Sequence, residues 1–164
     1  MELFELDDLI YNLSTNPSEE QLNVLYAEFK RDFVTQEFVF KGIKVKIILH
    51  HSRVEGYEKY PETFVHLITR KGQRNIRVFD RHRANKIHWI RCILENYTDD
   101  EIIYFEYPES DQGIREYYWF KEGDFIVILE RVTPHYVIVT SFHVDNARQR
   151  KYYQERETWY KKSK

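Results

Sequence analysis

The 164-residue chain has a single cysteine, Cys92, so it can form no internal disulfide. A fold stapled by disulfides is excluded, and a reducing, cytoplasmic setting is expected. Only 5 glycines are present, and none belongs to a phosphate-cradling or dinucleotide-binding glycine loop, which argues against those cofactor classes. Long apolar runs are missing too. The longest spans residues 125–129, against the roughly 20 residues of a membrane-crossing helix. The chain opens on Met-Glu-Leu-Phe-Glu-Leu-Asp-Asp, acidic where an export signal would be basic, so no export and no membrane partner are expected. His50, His51 and Cys92 lack the paired spacing of a zinc site, and neither metal nor cofactor is expected.

Aromatic residues are abundant. The chain holds 13 Tyr, 11 Phe and 3 Trp, a composition that disordered chains avoid, and its length suits one compact domain. The net charge of −2 conceals blocks of alternating sign. Residues 1–40 carry 9 acidic and 2 basic side chains, whereas residues 41–91 carry 13 basic and 4 acidic. Residues 92–130 are again acidic and residues 131–164 basic. Local positive potential, more than overall charge, is what a polyanion site needs.

Apolar residues at three- and four-residue spacing predict a short helix over residues 3–13. A second helix is predicted after Asn16-Pro17-Ser18-Glu19, with Asn16 as the cap. Alternation over residues 36–50 around Lys41-Gly42 predicts a β-hairpin. Further helices are expected after Tyr60-Pro61 and over residues 84–96. Four strands follow, at 101–107, 115–121, 124–131 and 135–144, joined by turns at Asp111-Gln112-Gly113, Glu122-Gly123-Asp124 and Thr133-Pro134. A polar helix closes the chain over residues 145–164. The expected class is α+β: N-terminal helices, a four-stranded antiparallel meander and a C-terminal helix. Residues 1–50 read as a helical and hairpin segment packed on a domain formed by residues 51–164.

Three segments can carry chemistry. In the first, His66, Thr69 and Arg70 share one face if the segment is helical, placing an acid–base group beside a phosphate-gripping guanidinium. The second is a basic stretch with six arginines, Arg70, Arg74, Arg77, Arg81, Arg83 and Arg91, suited to bidentate phosphate contacts. His82, His88 and Trp89 lie within it and can add stacking or proton transfer. In the third, period-two geometry puts Ser141 and His143 on one strand face and Thr140 and Phe142 on the other. No nucleophile elbow accompanies Ser141, which argues against a serine hydrolase.

The order Phe64-x-His66-Leu-x-Thr69-Arg70, then Arg81-x-x-x-Asn85-Lys86-Ile87-His88-Trp89-Ile90-x-x-Ile93, then Tyr118-Trp119-Phe120-Lys121 and Thr140-Ser141-Phe142-His143-Val144-Asp145, resembles the phage and prophage branch of the BECR nucleases. That superfamily groups barnase, EndoU, the colicin tRNases and RelE. The similarity covers about residues 60–155. It implies a nuclease domain over residues 51–164 and metal-independent RNA cleavage by attack of a ribose 2′-hydroxyl, of a toxin or phage-defence type. His66, Arg70, Thr140 and His143 would then be catalytic and Thr69 and Ser141 would bind substrate, with Arg77, Arg81 and Arg83 of the basic stretch as further substrate-binding residues. His66 and His143 would serve as base and acid in unassigned order. RNA, such as tRNA or mRNA, would be the partner, alongside an antitoxin or immunity protein. The alternative is a non-catalytic RNA- or protein-binding module that keeps the basic groove. Placing His66 and His143 against one phosphate favours the enzyme; separating them favours binding.

Overall fold

The first apolar positions do not make a helix. The computed structural model describes residues 1–109 and 113–164, and within residues 3–13 only Leu3–Glu5 forms a single 3-10 turn. The backbone beyond it bonds to distant partners instead. Leu9 N–H donates to the Asn85 carbonyl at 3.0 Å. Ile10 N–H donates to Asn85 Oδ1 at 2.7 Å, and Asn85 Nδ2 returns a bond to the Ile10 carbonyl at 2.9 Å. These three bonds to Asn85 take backbone groups that a helix ladder through Leu9 and Ile10 would need. Helix α1 (Glu19–Phe33) is capped by Ser18, two residues after the predicted cap Asn16, because Ser18 and Gln21 form a reciprocal capping box.

The predicted hairpin forms as β1 (Val39–Phe40) and β2 (Ile43–Lys46). Lys41 and Gly42 at its turn both have left-handed φ, 53° and 78°, as tight hairpins require. Helix α2 (Glu62–Ile68) stops before Thr69, correcting the expected helical placement of Thr69 and Arg70. Those residues open β3 (Thr69–Lys71), which pairs antiparallel with β4 (Arg77–Phe79). The helix ends there because side chains satisfy its terminal carbonyls. Thr69 Oγ1 donates to the Val65 carbonyl at 2.6 Å, and Arg77 donates to the His66 carbonyl at 2.9 Å. The helix predicted over residues 84–96 is split into α3 (Arg81–Ala84) and α4 (Trp89–Glu95). Tight i-to-i−3 bonds from Lys86, Ile87 and Trp89 fill the gap.

Four long strands follow: β5 (Ile102–Glu109), β6 (Gly113–Phe120), β7 (Phe125–Val132) and β8 (His135–His143), each antiparallel to the next. Two residues of the first predicted turn, Asp111 and Gln112, lie outside the described residues. The α+β class is observed, but the sheet is larger than the expected meander. The N-terminal hairpin joins it, giving six strands in the order β1-β2-β8-β7-β6-β5, with β2 parallel to β8. One face of the sheet packs Tyr118, Phe125, Val127 and Leu129 against Phe29, Phe64, Ile90 and Leu94 in a core that also takes in Leu3 and Leu13. The other face, with Tyr117, Trp119, Ile126 and Phe142, is covered by Tyr153 and Tyr160 of helix α5 (Ala147–Lys162). Among the described residues no helix is long and apolar enough to cross a membrane.

Candidate catalytic cleft beside strand β8

Strand β2 accompanies β8 only through Tyr136 and Val137. Beyond that point α2 and α3 pack against the strand. There β8 carries a bulge: Ile128 faces Thr140 and Leu129 faces Ile138, leaving Val139 unmatched. A bulged residue is freed from regular pairing, and the Val139 carbonyl lies 2.8 Å from His66 Nε2. A carbonyl only accepts, so His66 Nε2 carries the hydrogen. Burial first, and then the adjacent Arg77 charge, pull the His66 pKa below the usual imidazole range, against the opposing bond to Val139.

Two arginines tie this edge together. Arg77 donates through Nε to Thr69 Oγ1 at 3.1 Å and through one terminal nitrogen to the Thr69 carbonyl at 2.8 Å. Arg83 donates to the Thr69 carbonyl and to Thr140 Oγ1, both at 3.3 Å, with its guanidinium 5.7 Å from the Phe142 ring. Asp80 positions Arg83 from below. Its carboxylate caps α3 by accepting from His82 and Arg83 backbone N–H groups, each at 3.1 Å, and lies 3.5 Å from Arg83 Nε and 3.6 Å from Arg70 Nε. Burial depresses the Arg83 pKa and Asp80 offsets it. The Arg83 Nε, buried, has no hydrogen-bond acceptor.

The end of β8 and the start of α3 meet around a cleft of about 120 Å³, lined by Arg70, Asp80, His82, Arg83, Phe142, His143, Asp145 and Gln149. Binding pockets for drug-sized ligands run to about 300 Å³ or more, so this space suits one small anionic group. The His82 and His143 rings stand 6.3 Å apart between centroids. His143 Nδ1 lies 3.1 Å from Asp145 Oδ1. The carboxylate accepts, so His143 Nδ1 holds the hydrogen and the neutral ring offers its lone pair at Nε2.

Of the expected site residues, Arg70, Arg83 and His143 line this cleft, and Thr140 touches it through Arg83. His66 does not. It lines a separate cleft of about 500 Å³ with Arg77, Arg53 and His50. Thr69 is 0% exposed and Ser141 1% exposed, so neither hydroxyl is open to a ligand in this arrangement, and Arg77 spends Nε and one terminal nitrogen on α2 and β3. Arg81 faces a neighbouring groove. His82, Asp145 and Gln149 were not singled out as core site residues by sequence. A histidine two residues after an aspartate cap was the available signal for His82. Among the described residues no group of three His, Cys, Asp or Glu side chains could hold a metal ion. The chain was compared with protein-family models, curated proteins and solved structures, and it matches none of them.

Proposed function

We propose that the protein is an endoribonuclease of the toxin or phage-defence type, with His82 and His143, rather than His66 and His143, as its acid–base pair. The observation that carries this reading is the two imidazoles 6.3 Å apart in a small cleft flanked by Arg70 and Arg83. A phosphodiester seated between the rings would have a proton acceptor on one side and a donor on the other. His143, oriented by Asp145, takes the proton of the ribose 2′-hydroxyl, and the 2′ oxygen bonds to phosphorus. The bond from phosphorus to the 5′ oxygen breaks as His82 gives that oxygen a proton. Arg83 and Arg70 stabilise the added negative charge on the non-bridging oxygens. The motif order that resembles the BECR nucleases supports the same chemistry.

The placement of His66 in a different cleft favours a second reading, RNA binding without cleavage. One experiment separates them. Single-stranded RNA incubated with the protein in EDTA is expected to be cut, leaving 2′,3′-cyclic phosphate ends. Bound but intact RNA would sink the enzyme and leave the binding module.

A further inference from the structure

The groove next to the histidine cleft belongs to a segment that sequence reading set outside the nuclease domain. Residues of the N-terminal stretch and α3 enclose about 450 Å³, lined by Asp7, Tyr11, Asn12, Arg81, His82 and Asn85, among others. His82 lines both this groove and the smaller cleft. The two are therefore neighbours that share one side chain. Volumes of this order hold a nucleotide-sized ligand, whereas the histidine cleft does not.

Three features of the groove suit one nucleotide of a single-stranded RNA. Tyr11 is 91% exposed, an aromatic ring with no packing role and therefore free to stack. Arg81, also exposed, is the residue next to His82 and brings a guanidinium to the lining of the groove. The Asp7 carboxylate in the wall would repel a phosphate but can accept N–H groups from a base edge. The groove is also held in shape. Asn85 clamps Ile10 in both directions, Trp89 Nε1 donates to the Asp7 carbonyl at 2.9 Å, and Asn12 adopts a left-handed φ of 55°. These bonds hold Asp7, Leu9 and Ile10 in a non-helical path along the groove.

From this we infer a second nucleotide subsite, built by the N-terminal segment, in which Tyr11 stacks on the base and Arg81 contacts the phosphate of the nucleotide flanking the cleaved bond. The inference rests on the cleavage site proposed above. Its test uses 2′-O-methylated single-stranded RNA of two and four nucleotides, which lacks the attacking hydroxyl and so reports binding by the intact chain. Tyr11→Ala should raise the Kd of the tetranucleotide by about 5- to 100-fold, the range of base–aromatic stacking. The ratio of tetranucleotide to dinucleotide affinity should fall with it, and Tyr11→Phe should restore that ratio. Arg81→Ala should weaken tetranucleotide binding and lower its salt dependence. If the intact protein binds and cleaves RNA but Tyr11→Ala leaves the tetranucleotide Kd unaltered, the subsite is overturned and the cleavage site stands. If the intact protein binds neither oligonucleotide, the cleavage site falls and takes the subsite with it.

Discussion

The two histidines singled out by sequence have different neighbours, and those neighbours assign them different work. His143 is paired with a carboxylate at the mouth of a cleft, while His66 is fastened to the bulged Val139 carbonyl beneath α2. His143→Ala should therefore lower the cleavage rate by about 10²- to 10⁴-fold, the scale of a lost general acid or base, with the thermal midpoint nearly unmoved. Asp145→Asn should reduce the rate by weakening the hold on the His143 tautomer, and the pH profile measures that loss. His66→Ala should instead cost stability, about 1–2 kcal/mol for a hydrogen bond and packing lost in a half-buried site, as read from denaturant midpoints.

Strands are legible where turn chemistry bounds them. The turns at Glu122-Gly123-Asp124 and Thr133-Pro134 place β6 and β7 to within two residues, and the Lys41-Gly42 turn marks its hairpin. What escaped were elements whose ends are set by distant side chains. Asn85 holds residues 9–10 out of a helix, and Thr69 with Arg77 closes α2 at Ile68, which parts Thr69 and Arg70 from His66. The joining of β2 to β8 was hidden for the same reason, because parallel pairing leaves no local turn signal. His82 was named as a helper and not as a partner of His143, because their 61-residue separation carries no spacing rule. The hairpin also has an anchor that no periodicity reveals. Lys41 Nζ lies about 5 Å from the rings of Tyr97 and Tyr104 (4.9 Å each) and donates to Tyr118 Oη at 2.9 Å. Lys41→Ala should lower stability by about 1–3 kcal/mol through lost cation–π and hydrogen-bond contacts. The urea midpoint checks this.

Across the whole molecule, buried titratable groups pull stability in opposite directions with pH. Burial, with Glu28 nearby, raises the Asp32 carboxyl to about 6. Its folded pKa exceeds its unfolded one, so its contribution is present below about 4 and lost as pH rises through about 6. Burial lowers His66 and His88, so their contribution is present above the ordinary imidazole pKa and lost as pH falls. Asp32→Asn should stabilise the protein at pH 7.5 by about 1–3 kcal/mol and flatten the fall in thermal midpoint between pH 4 and 6.5. The cleft is assembled from the two basic blocks: α3 and the β3–β4 hairpin supply arginines, while Asp80 and Asp145, scarce acids within those blocks, orient Arg83 and His143. The proposed cleavage chemistry turns on which histidine works with His143. The most direct measurement is the single-turnover rate of RNA cleavage by His82→Ala and by His66→Ala, compared at equal folded fraction in EDTA. A loss of about 10²- to 10⁴-fold for His82→Ala, with His66→Ala within about tenfold of the intact protein, is the predicted result. Full activity in His82→Ala beside a folded but inactive His66→Ala would contradict it.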